Sequence, residues 1–521
     1  MSAACPSMPG CAPWPGKDRY FLLYKNNLIF FLIFPCHLQH CATQSRSGHH
    51  MLQKKNFKGA FQLSLVALAA GAFSAQSFAA ESDASVQDLD QRVRILERQL
   101  EIQKEEADAK AKEAAVVTAD SKGFSIKNAK GDYELQFHSL IQADARFYNG
   151  DSLGGTPGRL SDNFLLRRVE PTLSGSLGKY VGFLVTPEFG GNSPALLDFW
   201  GELRFDPAAN VRAGRFKEPV GLENLQSSGA LTFIERGLPT DLVPGRDIGL
   251  QVHGQLLSQT LSYAVGYFNG AADGGDATPP DTDNRHDLAA RLFAEPFKNN
   301  PGIVQNLGVG IAGTIGSVAG TAGSGAGTAA NSAAIVSGYK TVGQNTFFSY
   351  RGATVAEGTR SHLSPQAYWY YNNYGVLAEY VISRQRLVNG ANAGSIKNQA
   401  YEVTASYVIT GEDTGYKGVK PQSPFRLGAD GWGAFEVAAR TGGINIDSRA
   451  FAGAGTSSFA DITSSAQVAR EYGVAFNWYL NNNAKVAVNY EETRFDGGAT
   501  AAQGGNRQNE RAILARLQVA F

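Results

Sequence analysis

The sequence predicts an all-β, transmembrane, 16-stranded antiparallel β-barrel preceded by a short coiled-coil helix. Three observations carry this reading. From residue 132 to the end, long stretches alternate apolar and polar residues with the two-residue period of a strand. No run of about 20 apolar residues follows the N-terminal region, so nothing reads as a spanning helix. The chain of 521 residues holds 59 glycines, 20 tyrosines and 30 phenylalanines at a mean hydropathy of −0.21. That composition suits one large β structure.

The N-terminus stands apart. All four cysteines (Cys5, Cys11, Cys36, Cys41) and four of the eight histidines precede residue 51. Residues 1–50 therefore read as an extension from a start assigned too early. Met51 opens a secretory signal over 51–79: Lys54, Lys55 and Lys58, the apolar "FQLSLVALAAGAF", then small residues before a cut near Ala79 or Ala80. Residues 1–79 hold seven of the 47 basic and one of the 47 acidic residues, which leaves 40 against 46 and a net charge of −6. That balance excludes a nucleic-acid-binding face. An exported chain without cysteine has no disulfide framework either.

Residues 80–122 read as coiled coil and linker. Val86, Leu89, Val93, Leu96 and Leu100 recur at spacings of three and four, with Ala107 continuing the series and Gln103 interrupting it. Such a seam points to oligomerisation. The barrel is expected over 124–521. In "YELQFHSLIQADARFY" Tyr133, Leu135, Phe137, Ile141 and Phe147 alternate with Glu134, Gln136, His138, Gln142, Asp144 and Arg146. That run is far longer than the roughly 5–6 residues usual for a strand in a soluble protein.

Repetition of this pattern places strands near 132–148, 163–177, 180–190, 196–206, 210–217, 247–257, 260–268 and 286–296. Eight more follow near 305–316, 361–372, 374–386, 398–410, 432–443, 467–480, 483–495 and 509–521. The total is even, as a closed bacterial barrel requires. Connections alternate between long and short, the pattern of external loops and periplasmic turns. Residues 411–431 break it, being too long for a turn. The tract at 317–338 falls in an external loop. In the last strand Ile513, Ala515, Leu517, Val519 and the terminal Phe521 share one face. A terminal aromatic there resembles the signal read by the outer-membrane barrel assembly machinery.

The third external connection, 218–246, contains "FKEPVGLENLQSSGALTFIER". It is charged and does not alternate, yet Leu222, Leu225, Leu231, Phe233 and Ile234 need burial. Inside a barrel they reach it only against the lumen wall, so the segment is expected to fold inward as a constriction. A sixteen-stranded barrel is otherwise a wide aqueous channel.

"GRFKEPVGLENLQSSGALTFIERGLPTDLVPGRDIGLQVHG", with "LLRRVEPTLSGSLGKYVGFLVTPEFG" before it and "YAVGYFNG" after it, resembles the phosphate-selective porin family (porin O/P) of the Gram-negative outer membrane. The likeness runs from about residue 124 to the end and is densest over 163–270. It implies a homotrimer of sixteen-stranded barrels, no enzymatic activity, and passive uptake of phosphate, pyrophosphate or polyphosphate along a ladder of arginines. Its constriction would use Ser227, Ser228 and Arg236, with Arg167 and Arg168 of "LLRRVEP" in the channel and Asp198 facing the same region. Guanidinium forks match phosphate oxygens and keep their charge, and hydroxyls donate short hydrogen bonds.

Strand parity gives a separate set. If apolar positions face lipid, Arg146, Arg168, Arg204, Arg291, Arg440 and Arg516 face the lumen. Arg167 has the opposite parity and must sit at the rim or on a bulge. Arg215 and Lys217 stand where the strand meets the constriction loop and are expected to line its mouth. Two features depart from the family pattern. Lys217, Arg236 and Arg246 face Glu218, Glu223, Glu235, Asp241 and Asp247, so the loop is not net basic. The lysine expected shortly before the serine pair is replaced by "NLQ", Asn224 to Gln226. A porin for another anionic or neutral solute (a carboxylate or a sugar) or a weakly selective general pore is the alternative, with Tyr148, Trp200 and Tyr479 as candidate sugar-stacking rings. Only His138, His253, His286 and His362 remain after the signal, without "GxSxG" or "HExxH", and no metal or cofactor is implied.

Overall fold

The computed structural model describes residues 82–521 apart from 150–151, 154–155, 158–159, 192, 278–280, 282–283, 321–333, 335 and 454. The expected signal over 51–79, the stretch before it and most of the tract at 317–338 lie outside the described residues. Met1–Val86 forms one unit, of which only the first residues of a helix are described. Gln87–Phe521 forms the other and holds every strand.

Helix α1 (Ser82–Glu113) carries its charges as ion pairs one turn apart, Asp88 with Arg92 and Asp90 with Arg94. Leu89, Val93, Leu96 and Leu100 stay exposed along it. Two short strands follow, β1 (Val116–Asp120) and β2 (Gly123–Lys127), joined by Ser121 and Lys122. The sequence reading has this stretch as linker and barrel start; it is a hairpin too short for its alternation to register. β2 pairs with β3 (Tyr133–Tyr148), from Phe124 opposite Phe137 to Lys127 opposite Glu134.

The barrel continues with β4 (Asn163–Leu177), β5 (Val181–Glu188), β6 (Ala195–Asp206), β7 (Ala209–Lys217), β8 (Arg246–Leu256), β9 (Leu261–Phe268) and β10 (Asp287–Ala294). β11 (Asn306–Val318), β12 (Val355–Tyr371), β13 (Tyr374–Asn389), β14 (Asn392–Val408) and β15 (Ala434–Asn445) follow. β16 (Ala466–Tyr479), β17 (Ala484–Gly497) and β18 (Glu510–Ala520) complete it. Each strand from β3 to β18 pairs antiparallel with the next, and β18 returns to β3 with Ala520 opposite Leu140. The sixteen strands close, which leaves no free edge in the barrel wall.

Sixteen expected strands match sixteen observed ones, and the largest shifts have local causes. β12 starts at Val355 rather than near 361 because a register shift between Ala356 and Arg360, with Gly358 at φ 100°, interrupts the alternation. The connection expected to be long between β13 and β14 is instead a two-residue turn. Asn389 pairs with Asn392 across Gly390 at φ 60°, so both strands run on past the pattern.

Alternation sets the two faces. In β17, Val488 and Tyr490 are exposed on the outside, whereas Asn489, Glu491 and Thr493 are buried inside. The apolar core is therefore not between layers; it lies within the barrel, where loops pack on the wall. Leu238, Leu242 and Val243 from the third long loop meet Tyr339, Phe347 and Phe348 from the loop after β11, against Val381, Ala400 and Ile444 of the wall. Each such side chain removed from water contributes about 1.5–3 kcal/mol, so the loops are parts of the fold.

Candidate functional site

The third long loop, 218–245, enters the barrel and is pinned there by wall side chains acting on its backbone. Gln142 donates to the carbonyl of Ser228 (3.2 Å), Gln518 to Gly229 (2.9 Å), Lys485 to Leu231 (2.8 Å) and Asn477 to Thr232 (2.8 Å). Asn489 accepts from the Ile234 amide at 2.6 Å, and Glu379 from the Leu222 amide at 2.5 Å. A loop has few internal backbone pairs, so a polar wall must satisfy them instead. The overlong turn at 409–433 also serves the loop. Its Tyr416 hydroxyl donates to the Leu222 carbonyl (2.5 Å), and its carbonyl accepts from Gln226 (2.8 Å).

Glu235 is the charged hub of the attachment. It accepts from Arg146 (2.7 Å), from Arg167 through both oxygens (2.7 and 3.1 Å) and from Arg516 (3.3 Å), while Arg440 donates to its carbonyl (2.9 Å). Burial pushes this carboxyl up, but the charges of Arg167 and Arg168 and the Arg167 hydrogen bond outweigh burial and hold it well below the usual range. Arg167 reaches it from a bulge: Gln142 pairs with Arg168 and Ala143 with Leu166, so Arg167 is the extra residue. Arg146 and Arg167 were expected to meet the solute; the structure commits both to this carboxylate. Parity identifies a lumen arginine but not the carboxylate that claims it.

The remaining space lies on the opposite side of the loop, along β4 to β10. A cavity of about 820 Å³ there is lined by Ser227, Ser228 and Lys217, and by Asp198, Glu202, Arg204, Arg212, Arg246, His253 and Arg291 of the wall. Five cationic side chains (Arg204, Arg212, Lys217, Arg246, Arg291) face three carboxylates (Glu170, Asp198, Glu202). The carboxylates take some of the cations: Glu202 accepts from Arg204 and Arg212, and Asp198 from Arg246. Lys217 donates instead to the Asn224 carbonyl, and Arg291 to the neutral Gln366 at 3.1 Å.

Behind the serine pair, Arg236 donates to the carbonyls of Glu223 (2.9 Å) and Gln226 (2.7 Å) and reaches the Ser228 hydroxyl at 3.4 Å. Its hydrogen-bond partners among the described residues are neutral, and the charges of Glu223 and Glu235 act on it from close by. Arg168 is buried, bonded to Gln142 (2.7 Å) and paired with Glu170 at 3.4 Å. Arg215 does not line the cavity. It shares its face with Phe199 and Ile248, Phe199 being 56% exposed on the outside, and donates to the Leu197 and Ala277 carbonyls. It stands opposite the exposed Phe199 and turns outward with it, whereas Arg212 stands opposite the buried Glu202. Sequence reasoning passed over Arg212 and Arg246, and the same alternation would have found Arg212.

A second space of about 510 Å³ meets the first at Ser227 and opens at the short-turn end of the barrel. Lys122, Lys417, Lys420 and Lys485 line it, with no carboxylate among its lining residues. Both spaces count Ser227 among their lining residues, so the serine pair stands beside cations of each.

Residues 136–521 match the family model described as phosphate-selective porin O and P. Porin O of Pseudomonas aeruginosa is 24% identical over 406 residues, covering 74% of this chain and 88% of that protein. Among solved structures, the outer membrane channel DcaP of Acinetobacter baumannii is 10% identical, with a TM-score of 0.47 over 75% of this chain and 98% of that one. An anion-selective porin from Comamonas acidovorans is 13% identical, with a TM-score of 0.42 over 74% and 99%. With the family model spanning all but the first residues of the closed barrel and the whole of its inward loop, this chain belongs to the phosphate-selective porin O and P family.

Proposed function

We propose that the protein is a passive, anion-selective channel of the Gram-negative outer membrane that admits phosphate, pyrophosphate or short polyphosphate. The observation that carries this reading is the Ser227–Ser228 pair, backed by Arg236 and sharing its cavity with Lys217 and Arg291, the three cations having neutral hydrogen-bond partners among the described residues. A phosphate oxygen replaces a carbonyl or amide as partner and forms a charge-assisted bond, which is about twice as strong as a neutral one. Asp198 enters as the anchor of Arg246, and Arg204 as a cation shared with Glu202.

The short turns and the N-terminal helix face the periplasm, and the long loops face outward. Three copies assemble as a homotrimer whose outer faces meet outer-membrane lipid. Phe521 presents the terminal aromatic to the barrel assembly machinery; in the folded chain its backbone pairs with Ser139 and its ring meets Phe124 and Phe137. Of the rings the sugar reading would use, Trp200 lines the cavity. Arg212 covers Trp200 at 4.1 Å, and Tyr148 and Tyr479 are buried, with their hydroxyls bonded to Gly343 and Glu436. Of the histidines, His362 is buried with Asp273 and Thr314 on its two ring nitrogens, and His253 in the cavity wall is held by Glu202 at 2.9 Å.

Single-channel conductance of the purified trimer in planar bilayers, under a salt gradient with phosphate titrated in, tests the proposal. Anion-selective current that phosphate blocks in the micromolar to millimolar range is expected. Current without anion preference overturns it, and anion preference without phosphate block reduces it to a channel for other anions.

A further inference from the structure

The segment 409–433 is too long for a turn, and bracing of the constriction by Tyr416 explains only its first half. Val419 is packed inside the barrel with Val408, Ala434 and Tyr479. A few residues later the chain has crossed the rim. Phe425 packs on Trp478, which is on the outward side of β16 with Tyr472, Val474 and Phe476. From there a file of rings runs outward. Phe476 meets Phe435 at 5.8 Å, Phe435 meets Trp478 at 6.0 Å, Trp478 meets Phe425 at 5.1 Å, and Phe425 meets Trp432 at 6.1 Å.

The base of this second half is fixed. The Phe425 amide donates to the Leu480 carbonyl (2.7 Å), Gly433 to Ser423 (3.0 Å), and the Trp478 indole to the Trp432 carbonyl (2.7 Å). Above that base, Arg426 donates to Gly431 (3.1 Å) and Ala429 to Arg426 (3.4 Å), which folds "RLGADG" into a tight tip. Gly428 and Gly431 take positive φ there. At the tip Leu427 is 93% exposed beside the exposed Arg426, and Trp432 is 66% exposed. A rigid base that holds a leucine away from every protein neighbour gains nothing in water.

We propose that residues 425–432 form an interfacial finger that inserts Leu427 and Trp432 into the phospholipid leaflet at the short-turn end, with Arg426 at the level of the lipid phosphates. Continuity of the ring file with the outward apolar face of β14 to β16 selects a bilayer as the occupant. Amphipathic rings favour the headgroup level, and a cation beside them fits an anionic phosphate. One segment then grips the leaflet with its outer half and braces the constriction with its inner half. The proposal rests on the outer-membrane reading.

The exported chain has no cysteine after residue 41, so single-site spin labelling of the full barrel is direct. Nitroxides are placed by Leu427→Cys, by Val474→Cys on the outward face of β16, and by Ser258→Cys on a short turn, in vesicles of phosphatidylethanolamine and phosphatidylglycerol. At 427 frequent collision with oxygen is expected, with collision to a water-soluble nickel chelate several-fold below that at 258. The depth expected is roughly 5–10 Å into the headgroup and acyl boundary. Nickel collision at 427 equal to that at 258 overturns the proposal by placing the tip in water. Suppression of both collisions overturns it by placing the tip under a second copy of the chain. If 474 also behaves as aqueous, the membrane-spanning reading fails instead.

Discussion

The two sides of the lumen wall are built from the same alternating strands and have opposite characters. Along β4 to β10 the wall faces open space and carries more cations than carboxylates. Along β13 to β17 the wall lies under the third loop, where Glu402, Glu471 and Glu491 face Arg440 and Glu379 holds the Leu222 amide. Glu223 of the loop adds a fourth carboxylate, 3.8 Å from Arg440. Both oxygens of Glu402 lack a hydrogen-bond partner among the described residues. The comparison teaches that a lumen-facing charge has two possible uses. On one side it meets solute, and on the other it holds the loop that makes the solute path narrow.

The largest effect is expected where the closed side loses Arg440. Arg440→Met leaves the buried Glu471 and Glu491 without their guanidinium partner, and breaking such a buried set costs about 3–5 kcal/mol. The expected outcome is a barrel that still closes but whose loop detaches, seen as larger conductance with weaker ion selectivity; unchanged conductance would erase the distinction between the sides. Gly237→Ala attacks the same contact by shape. A Cβ there would stand 1.9 Å from the Glu402 carboxylate, and such overpacking costs about 1–3 kcal/mol, readable as added current noise.

Glu235 gives the comparison a pH axis. Its folded carboxyl lies below its ordinary value, so its contribution is present above about pH 4, the unfolded glutamate range, and is lost as pH falls through the lower folded value. The loop is therefore expected to hold from neutral to mildly acidic pH and to loosen only in stronger acid. Glu235→Gln removes that acid transition, measured by conductance against pH.

On the open side the effects are on affinity. Lys217→Met removes a cation with a neutral partner and is expected to weaken phosphate block about tenfold, the equivalent of about 1.4 kcal/mol for a hydrogen bond to a charged group. Asp198→Asn releases Arg246 and is expected to strengthen block by a few-fold, the smallest change and the only one of opposite sign. Equal responses at Lys217 and Asp198 would show that net charge alone sets the block.

Alternation over more than a dozen residues admits one exposed face and one covered face, so sequence legibly placed sixteen strands and their parity. The inward loop was legible too, because Leu222, Leu231, Phe233 and Ile234 had no other place for burial. Short elements and pairings were not legible. The hairpin at 116–127 spans five residues a side, and Gly390 converts an expected long loop into a tight turn. Nothing local to Arg146 or Arg167 reveals that Glu235, 89 and 68 residues away, will hold them.

Sequence by itself determined the closed barrel, its outward apolar face, the inward loop and the set of charges turned toward the lumen. Each follows from local periodicity and from the need of apolar groups to leave water. Only the tertiary structure decided which of those charges remain available to an anion. That depends on which carboxylate lies within a few ångströms of each guanidinium, and such distances between residues far apart in the chain are set by barrel closure and loop docking. Arg236, Lys217 and Arg291 keep neutral hydrogen-bond partners among the described residues, whereas Arg146 and Arg167 hold the loop.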